Sequence, residues 1–234
     1  AALNKGNPNY LKQSWNAVWD PESPLLDIAG ITHLFWYRPL SAEKYELVGQ
    51  YPVGGGFIYR NLRAVPKAYV VSGLEYYPKR ELLFAGIRAR SFNPRMTAAT
   101  EDPELRRRVP GMFSRGNEVL LNAKVDIRRY EANRIDIDVD VPQTSLLVVT
   151  DLFFPYWRVW VDQVETSIHR VNGAFRGVIV DKGKHVVRME YRNVPFHRGL
   201  KMSAVFVALV FILAAVLLIR MYREGRRLGD INSI

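Results

Sequence analysis

The 234-residue chain has no cysteine, which excludes disulfides, thiolate zinc sites and cysteine nucleophiles and leaves the redox compartment open. Histidine is scarce: of His33, His169, His185 and His197, no two have the short helical spacing of a metal pair. No catalytic metal and no cofactor is expected. No basic stretch leads into an apolar run near Ala1, so no signal peptide is visible; either one has been removed or the true start lies upstream. The triple glycine Gly54–Gly56 lacks the Lys-then-Ser/Thr continuation of a phosphate loop, because Phe57 and Ile58 follow. It reads as a plain turn. Acidic residues are outnumbered, 23 against 33 Lys and Arg, giving a formal charge of +10. Such a balance suits nucleic acid or an anionic membrane, and the placement of the charge has to decide between them.

One segment decides most. Met202 to Ile219 carries no charged residue, and eighteen helical residues rise roughly 27 Å, close to the ~30 Å hydrocarbon core of a bilayer. A buried helix of a soluble protein usually shows a polar stripe, whereas only Ser203 breaks this run. Residues 202–219 are therefore expected to be a transmembrane helix, with the lipid bilayer as partner. Beyond it Arg220, Arg223, Arg226 and Arg227 face only Glu224 and Asp230; Arg198 and Lys201 lie on the other flank. By the positive-inside rule, 220–234 is a basic cytoplasmic tail and the bulk of the chain is extracytoplasmic. Topology explains those basic residues, so no nucleic-acid partner is expected. Exporting a large region ahead of a lone helix needs a targeting signal or an earlier membrane segment. The expectation is the C-terminal portion of a longer membrane protein, with upstream transmembrane helices as partners. A tail-anchored cytosolic domain is the competing account.

The outer part reads as mainly β. Residues 1–114 look like a smaller mixed α/β region. It has an irregular start, a short helix near Leu25–Ala29, a strand through Tyr37, two strands within 45–61 and another within 66–73. A helix follows Asp102 as N-cap, with Pro103 at its first position and Pro110 as its stop. The Arg106–Arg108 run suits a solvated helix end. From 115 to 193, six segments read as strands: EVLLNAKVDIRRY, RIDIDVDV, SLLVVTD, WRVWVD, FRGVIV and KHVVRMEYR. Together they predict a β-sandwich or jelly-roll-like domain.

In DIDVD (136–140), the aspartate spacing resembles that of carboxylates holding a divalent ion beside a diphosphate. Strand alternation accounts for it more simply: Ile135, Ile137, Val139 and Val141 point inward and the aspartates outward. No Ser-His-acid set can be assigned from isolated residues. In DLFFPYWRVWVD (151–162), alternation puts Trp157, Val159 and Val161 on one face and Arg158, Trp160 and Asp162 on the other. Phe153, Phe154 and Trp157 are expected to pack the sandwich and Asp162 to close a turn. Tyr156 and Trp160 stay open to a binding role.

The ordered motifs LLDIAGITHLFWY, YRNLRAVPKAYVV, YEANRIDIDVDV and LLVVTDLFFPYWRVWVDQVETSIHRVNGAFRGVIVDKGKHVVRMEYRNVPFHRGLKMS resemble the C-terminal part of the YfhO family of bacterial membrane proteins. The likeness runs with gaps from about residue 25 to the end. It implies a polytopic type C glycosyltransferase that uses a lipid-linked sugar donor to modify a cell-envelope polymer. The catalytic acid of such enzymes lies in the first outside loop, to which no position here corresponds. This chain would carry no catalytic residue. Pro155, Trp157, Val161, Asp162, Asn172, Phe175, Arg176, Gly183, Lys184, His185 and Val187 match the family pattern, while Tyr156 and Gln163 stand where glycine is usual and Lys67 where arginine is common. Tyr156, Trp160 and Arg176 become the candidate contacts for glycan or partner. Two functions stand: the non-catalytic extracytoplasmic part of a membrane glycosyltransferase, touching an envelope glycopolymer, or a membrane-anchored glycan- or protein-binding module without transferase activity.

Overall fold

The computed structural model describes residues 20–51, 55–89, 91–114, 120 and 122–231. It divides into two compact units, one ending at Tyr191 and one running from Arg192. The expected strand start at 118–119 and Gly54 of the triple glycine lie outside the described residues, as does most of the irregular start.

The first unit opens with α1 (Pro24–Ile28), whose N-cap Ser23 accepts a hydrogen bond from the Leu25 amide. Then β1 (His33–Trp36), β2 (Tyr45–Tyr51) and β3 (Gly56–Asn61) form a three-stranded antiparallel sheet with β3 in the middle. The next strand, β4 (Ala68–Val71), belongs to the sandwich described below. A parallel pair, β5 (Gly73–Tyr76) and β6 (Thr97–Thr100), flanks α2 (Arg80–Arg88). Sequence patterning places nothing over 80–88, yet Leu83 and Ile87, one turn apart, give this helix a buried side. After the cap at Asp102, which accepts from the amides of Glu104 and Leu105, come α3 (Pro103–Arg108) and α4 (Pro110–Ser114). Pro110 thus both ends one helix and opens the next, since its fixed φ and missing N–H suit a first helical position.

Eight strands follow: β7 (Lys124–Glu131), β8 (Arg134–Val141), β9 (Ser145–Leu152), β10 (Trp157–Val161), β11 (Val164–Thr166), β12 (His169–Val171), β13 (Phe175–Val180) and β14 (Gly183–Tyr191). They build two antiparallel sheets, ordered β11-β10-β14-β8-β7 and β12-β13-β9-β4. Between them lie Ile135, Ile137, Val139 and Val141 of β8, Val159, Val187 and Met189, facing Leu147, Val149, Val178, Val180 and Ala68. The fold is a mainly β sandwich, as the alternation in β8 predicts. One of its strands, β4, comes from before residue 115, so residues on both sides of that position share a core.

Left-handed backbone occurs at Tyr156 and at the turn after β10. Val161 pairs with Val164, and the two residues between them, Asp162 and Gln163, have φ of 48° and 73°. Two successive positive φ values give the I′ hairpin, which favours glycine at its second position. Asp162 locks it, accepting the Val186 amide at 2.9 Å with His185 Nδ1 2.6 Å away. Tyr156 is the second glycine-type position, at φ 75°.

The second unit is α5 (Val194–Ile231), longer at both ends than the expected 202–219. Its stretch Arg198–Met221 is, among the described residues, the one helix long and apolar enough to cross a membrane. At 1.5 Å per residue it rises about 36 Å.

Gln163→Gly should raise stability by about 0.5–1 kcal/mol, because the relief of left-handed strain exceeds the added freedom of the unfolded chain. A higher urea midpoint at unchanged slope reads this out; an unchanged or lower midpoint contradicts it.

Candidate functional site

The sequence-derived residues separate into two places. Tyr156 is exposed and meets Tyr191 edge-on, ring centroids 6.4 Å apart, while Tyr191 leans on Trp157 at 5.7 Å. Behind Trp157, the Arg176 guanidinium lies 3.7 Å from the ring centroid. Its Nε donates to the Leu152 carbonyl at 3.0 Å. Arg176 is only 5% exposed, so it is a prop for Trp157 and the β9 end rather than a surface contact. Burial lowers its pKa, with Asp151 opposing. Trp160 is not part of this group. It sits half-buried on the other face of β10, opposite Glu165 and Arg188. Phe153 and Phe154 depart from the expected packing role: both are exposed, because β9 ends at Leu152 and the chain then passes to the other sheet.

At the root of this loop Asp151 gathers cations. Lys67 pairs with it, Tyr130 donates its hydroxyl to it at 2.9 Å, and Arg176 approaches to 4.0 Å. Burial alone would lower the Lys67 pKa, but Asp151 and Tyr130 more than offset it and leave the ammonium raised. Lys67 also lies over the Tyr130 ring at 5.2 Å.

The DIDVD aspartates serve a charge ladder on the outer face of the five-stranded sheet. Asp136 sits between Arg134 at 3.0 Å and Arg188 at 3.2 Å, and Asp138 pairs with Arg128. Burial would raise the Asp136 pKa, yet the two arginines hold it below the usual carboxylate range. Arg158 and Glu165 continue the ladder at 2.8 Å. Among the described residues no group of three or more His, Asp and Glu is placed to hold a metal ion.

Other polar side chains also have structural work. The Asn172 side-chain oxygen accepts the Ala99 amide at 2.8 Å, joining the β12–β13 turn to β6. His169 is buried with Nδ1 2.7 Å from Asp102, the α3 cap. Burial pushes the Asp102 pKa up, but His169 and the amides of Glu104 and Leu105 bring it below normal overall.

A second place was not foreseen. A cleft of about 840 Å³ is lined by Glu22, Asp27, Ser41, Glu43, Arg63 and Arg95, with Lys44 in its wall. Lys44 is 1% exposed, its Nζ 3.1 Å from Asp27 and 3.0 Å from the Ser23 carbonyl. Asn61 donates to the same Asp27 oxygen at 2.8 Å. Nearby, burial together with Asp27, Glu22 and Asp20 raises the Tyr45 pKa. Charged groups of both signs line the cleft, with Pro24, Leu62, Phe92 and Pro94 between them. The available signal was Asp27, a charge inside the apolar run LLDIAG. Its partner Lys44 is seventeen residues away and carried no pattern.

Asp27→Ala should cost about 3–5 kcal/mol, since it leaves Lys44 buried without its counter-charge; a loss below about 1 kcal/mol in urea unfolding would refute that role. Asp102→Ala should cost about 1 kcal/mol at neutral pH through the lost cap. The folded-state pKa of Asp102 is depressed from 3.8, so the carboxylate's contribution is full above that value. The gap between parent and variant must shrink as pH falls through the lowered folded value. A gap that widens in acid contradicts the assignment. No family model, curated protein or solved structure matches the chain.

Proposed function

We propose that the chain is the non-catalytic extracytoplasmic C-terminal part of a polytopic membrane glycosyltransferase that moves a sugar from a lipid-linked donor to a cell-envelope polymer. The observation that carries this reading is the junction after Tyr191, where a β-sandwich gives way within two residues to α5 and its apolar stretch. A folded β region followed in the chain by a membrane-length helix is consistent with the extracytoplasmic C-terminal region of a polytopic protein that the YfhO-like motif series implies. The engagement of the family-pattern side chains Asp162, Asn172, Arg176 and His185 in turns and props supports a scaffold rather than a reacting site. In this reading Arg220, Arg223, Arg226 and Arg227 keep the C-terminal end in the cytoplasm. Lys201 lies at the outer flank, and upstream transmembrane helices and a glycopolymer are the partners.

The cleft beside Lys44 and Asp27 favours a second reading, a membrane-anchored binding module for glycan or protein without transferase activity. Transfer assays on the complete reading frame separate the two. Under the first reading sugar transfer occurs, and Asp102→Asn, Asp136→Asn and His169→Gln each leave it within about tenfold of the parent, whereas loss of a general acid or base costs roughly 10²–10⁴-fold. A folded variant of this region that abolishes transfer would overturn the non-catalytic assignment; glycan binding without transfer would favour the module.

Orientation has its own test, helped by the absence of cysteine from these 234 residues. Lys182→Cys should react with a membrane-impermeant maleimide in intact cells, and Arg227→Cys only after permeabilisation. The opposite pattern reverses the topology.

A further inference from the structure

The sandwich exposes apolar side chains at the end where its chain leaves for α5. Leu152 and Phe154 are 56% and 57% exposed, Tyr156 46%, and Phe153, Tyr130 and Tyr191 are also exposed. Pairing places them together. Trp157, first residue of β10, lies opposite Tyr191, last residue of β14. Leu152, last of β9, lies opposite Phe175. Tyr130 hydrogen-bonds Asp151 at the root of the loop.

We infer that the loop Leu152–Tyr156, flanked by Tyr130 and Tyr191, is a second membrane contact that seats in the headgroup layer of the bilayer α5 crosses. The inference rests on the membrane-spanning reading of α5 and adds a contact made by the sandwich itself.

Three observations carry it. First, the tether is short: only Arg192 and Asn193 separate β14 from α5. Three peptide units reach about 11 Å and the helical residues to Met202 add about 12 Å. The covalent chain therefore confines Tyr191 to within roughly 23 Å of the uncharged run. Second, the chemistry fits an interface. Aromatic rings with apolar bodies and polar tips partition to the headgroup level. The one carboxylate at the root, Asp151, is neutralised by Lys67 with Arg176 beside it. Arg198 and Lys201, ahead of the uncharged run, supply the positive sign that anionic headgroups attract. Third, a bulky tyrosine occupies a left-handed position at Tyr156, where folding alone would favour glycine. The cost of that backbone at an exposed tyrosine is an outlier from which a functional reading can start.

The test uses the whole chain reconstituted in vesicles of phosphatidylethanolamine and phosphatidylglycerol, with an environment-sensitive NBD label on single cysteines. Phe154→Cys and Leu152→Cys place the probe in the loop, Val210→Cys in the middle of α5, and Lys182→Cys at the opposite end of the sandwich. The expected result is blue-shifted emission and quenching by spin-labelled lipid at 152, 154 and 210, with neither at 182. Adding Phe153→Ser, Phe154→Ser and Tyr156→Ser together should abolish quenching at 152 while leaving it at 210. Quenching at 210 with an aqueous probe at both 152 and 154 would overturn the loop contact alone. An aqueous probe at 210 would overturn the spanning helix and the contact with it.

Discussion

Burial of β9 on both faces is the constraint around which the first unit is arranged. Six consecutive residues from Ser145 to Thr150 are buried. Leu147 and Val149 face the five-stranded sheet, while Leu146 and Val148 face Tyr69, Val71, Leu74, Ala98, Leu105, Met112 and Val171. A strand that is apolar on both sides needs a layer on each. One layer is the partner sheet; the other comes from β5, β6, α3 and α4. This explains why residues before 115 cannot be a loosely attached appendage. They supply β4, which pairs with β9, and the cover over its outer face.

Local pattern was legible where one face met water. In β8 the burial alternates residue by residue, so Ile135, Ile137, Val139 and Val141 could be assigned inward and the aspartates outward from periodicity alone. The cap at Asp102 was legible because it depends on a few neighbouring residues, as was a turn closed by Asp162, though not its I′ form. What escaped was non-local. Nothing near Arg176 says that its guanidinium will lie under Trp157, nineteen residues earlier in the chain. The exposure of Phe153 and Phe154 was misread for the same reason: ring content predicts burial on average, but their position in the crossing between sheets decides otherwise.

The charge excess also reads differently once pairs are visible. Much of the basic character of the sandwich is committed internally, with Arg128, Arg134, Arg158 and Arg188 each facing a carboxylate on the outer sheet. Exposed pairs of this kind contribute little individually. Their arrangement matters more, since like charges on adjacent strands would repel at these spacings. Asp136 and Asp138 are the counter-charges that let Arg128, Arg134 and Arg188 lie side by side.

Two kinds of polar burial remain distinct in consequence. Around Asp151, Lys67 and Tyr130 keep contact with solvent, so that group can adjust to a changing surface at modest cost. Around Asp27, Lys44 and Asn61 are withdrawn almost completely, and a buried pair is justified energetically only when its remaining bonds are made. Lys44 meets Asp27 and the Ser23 carbonyl, and Asp27 meets Asn61, so the pair is tied in on several sides. A buried, multiply bonded pair beside the cleft and a solvent-contacting cluster beside the loop thus differ in how far they can rearrange without losing bonds.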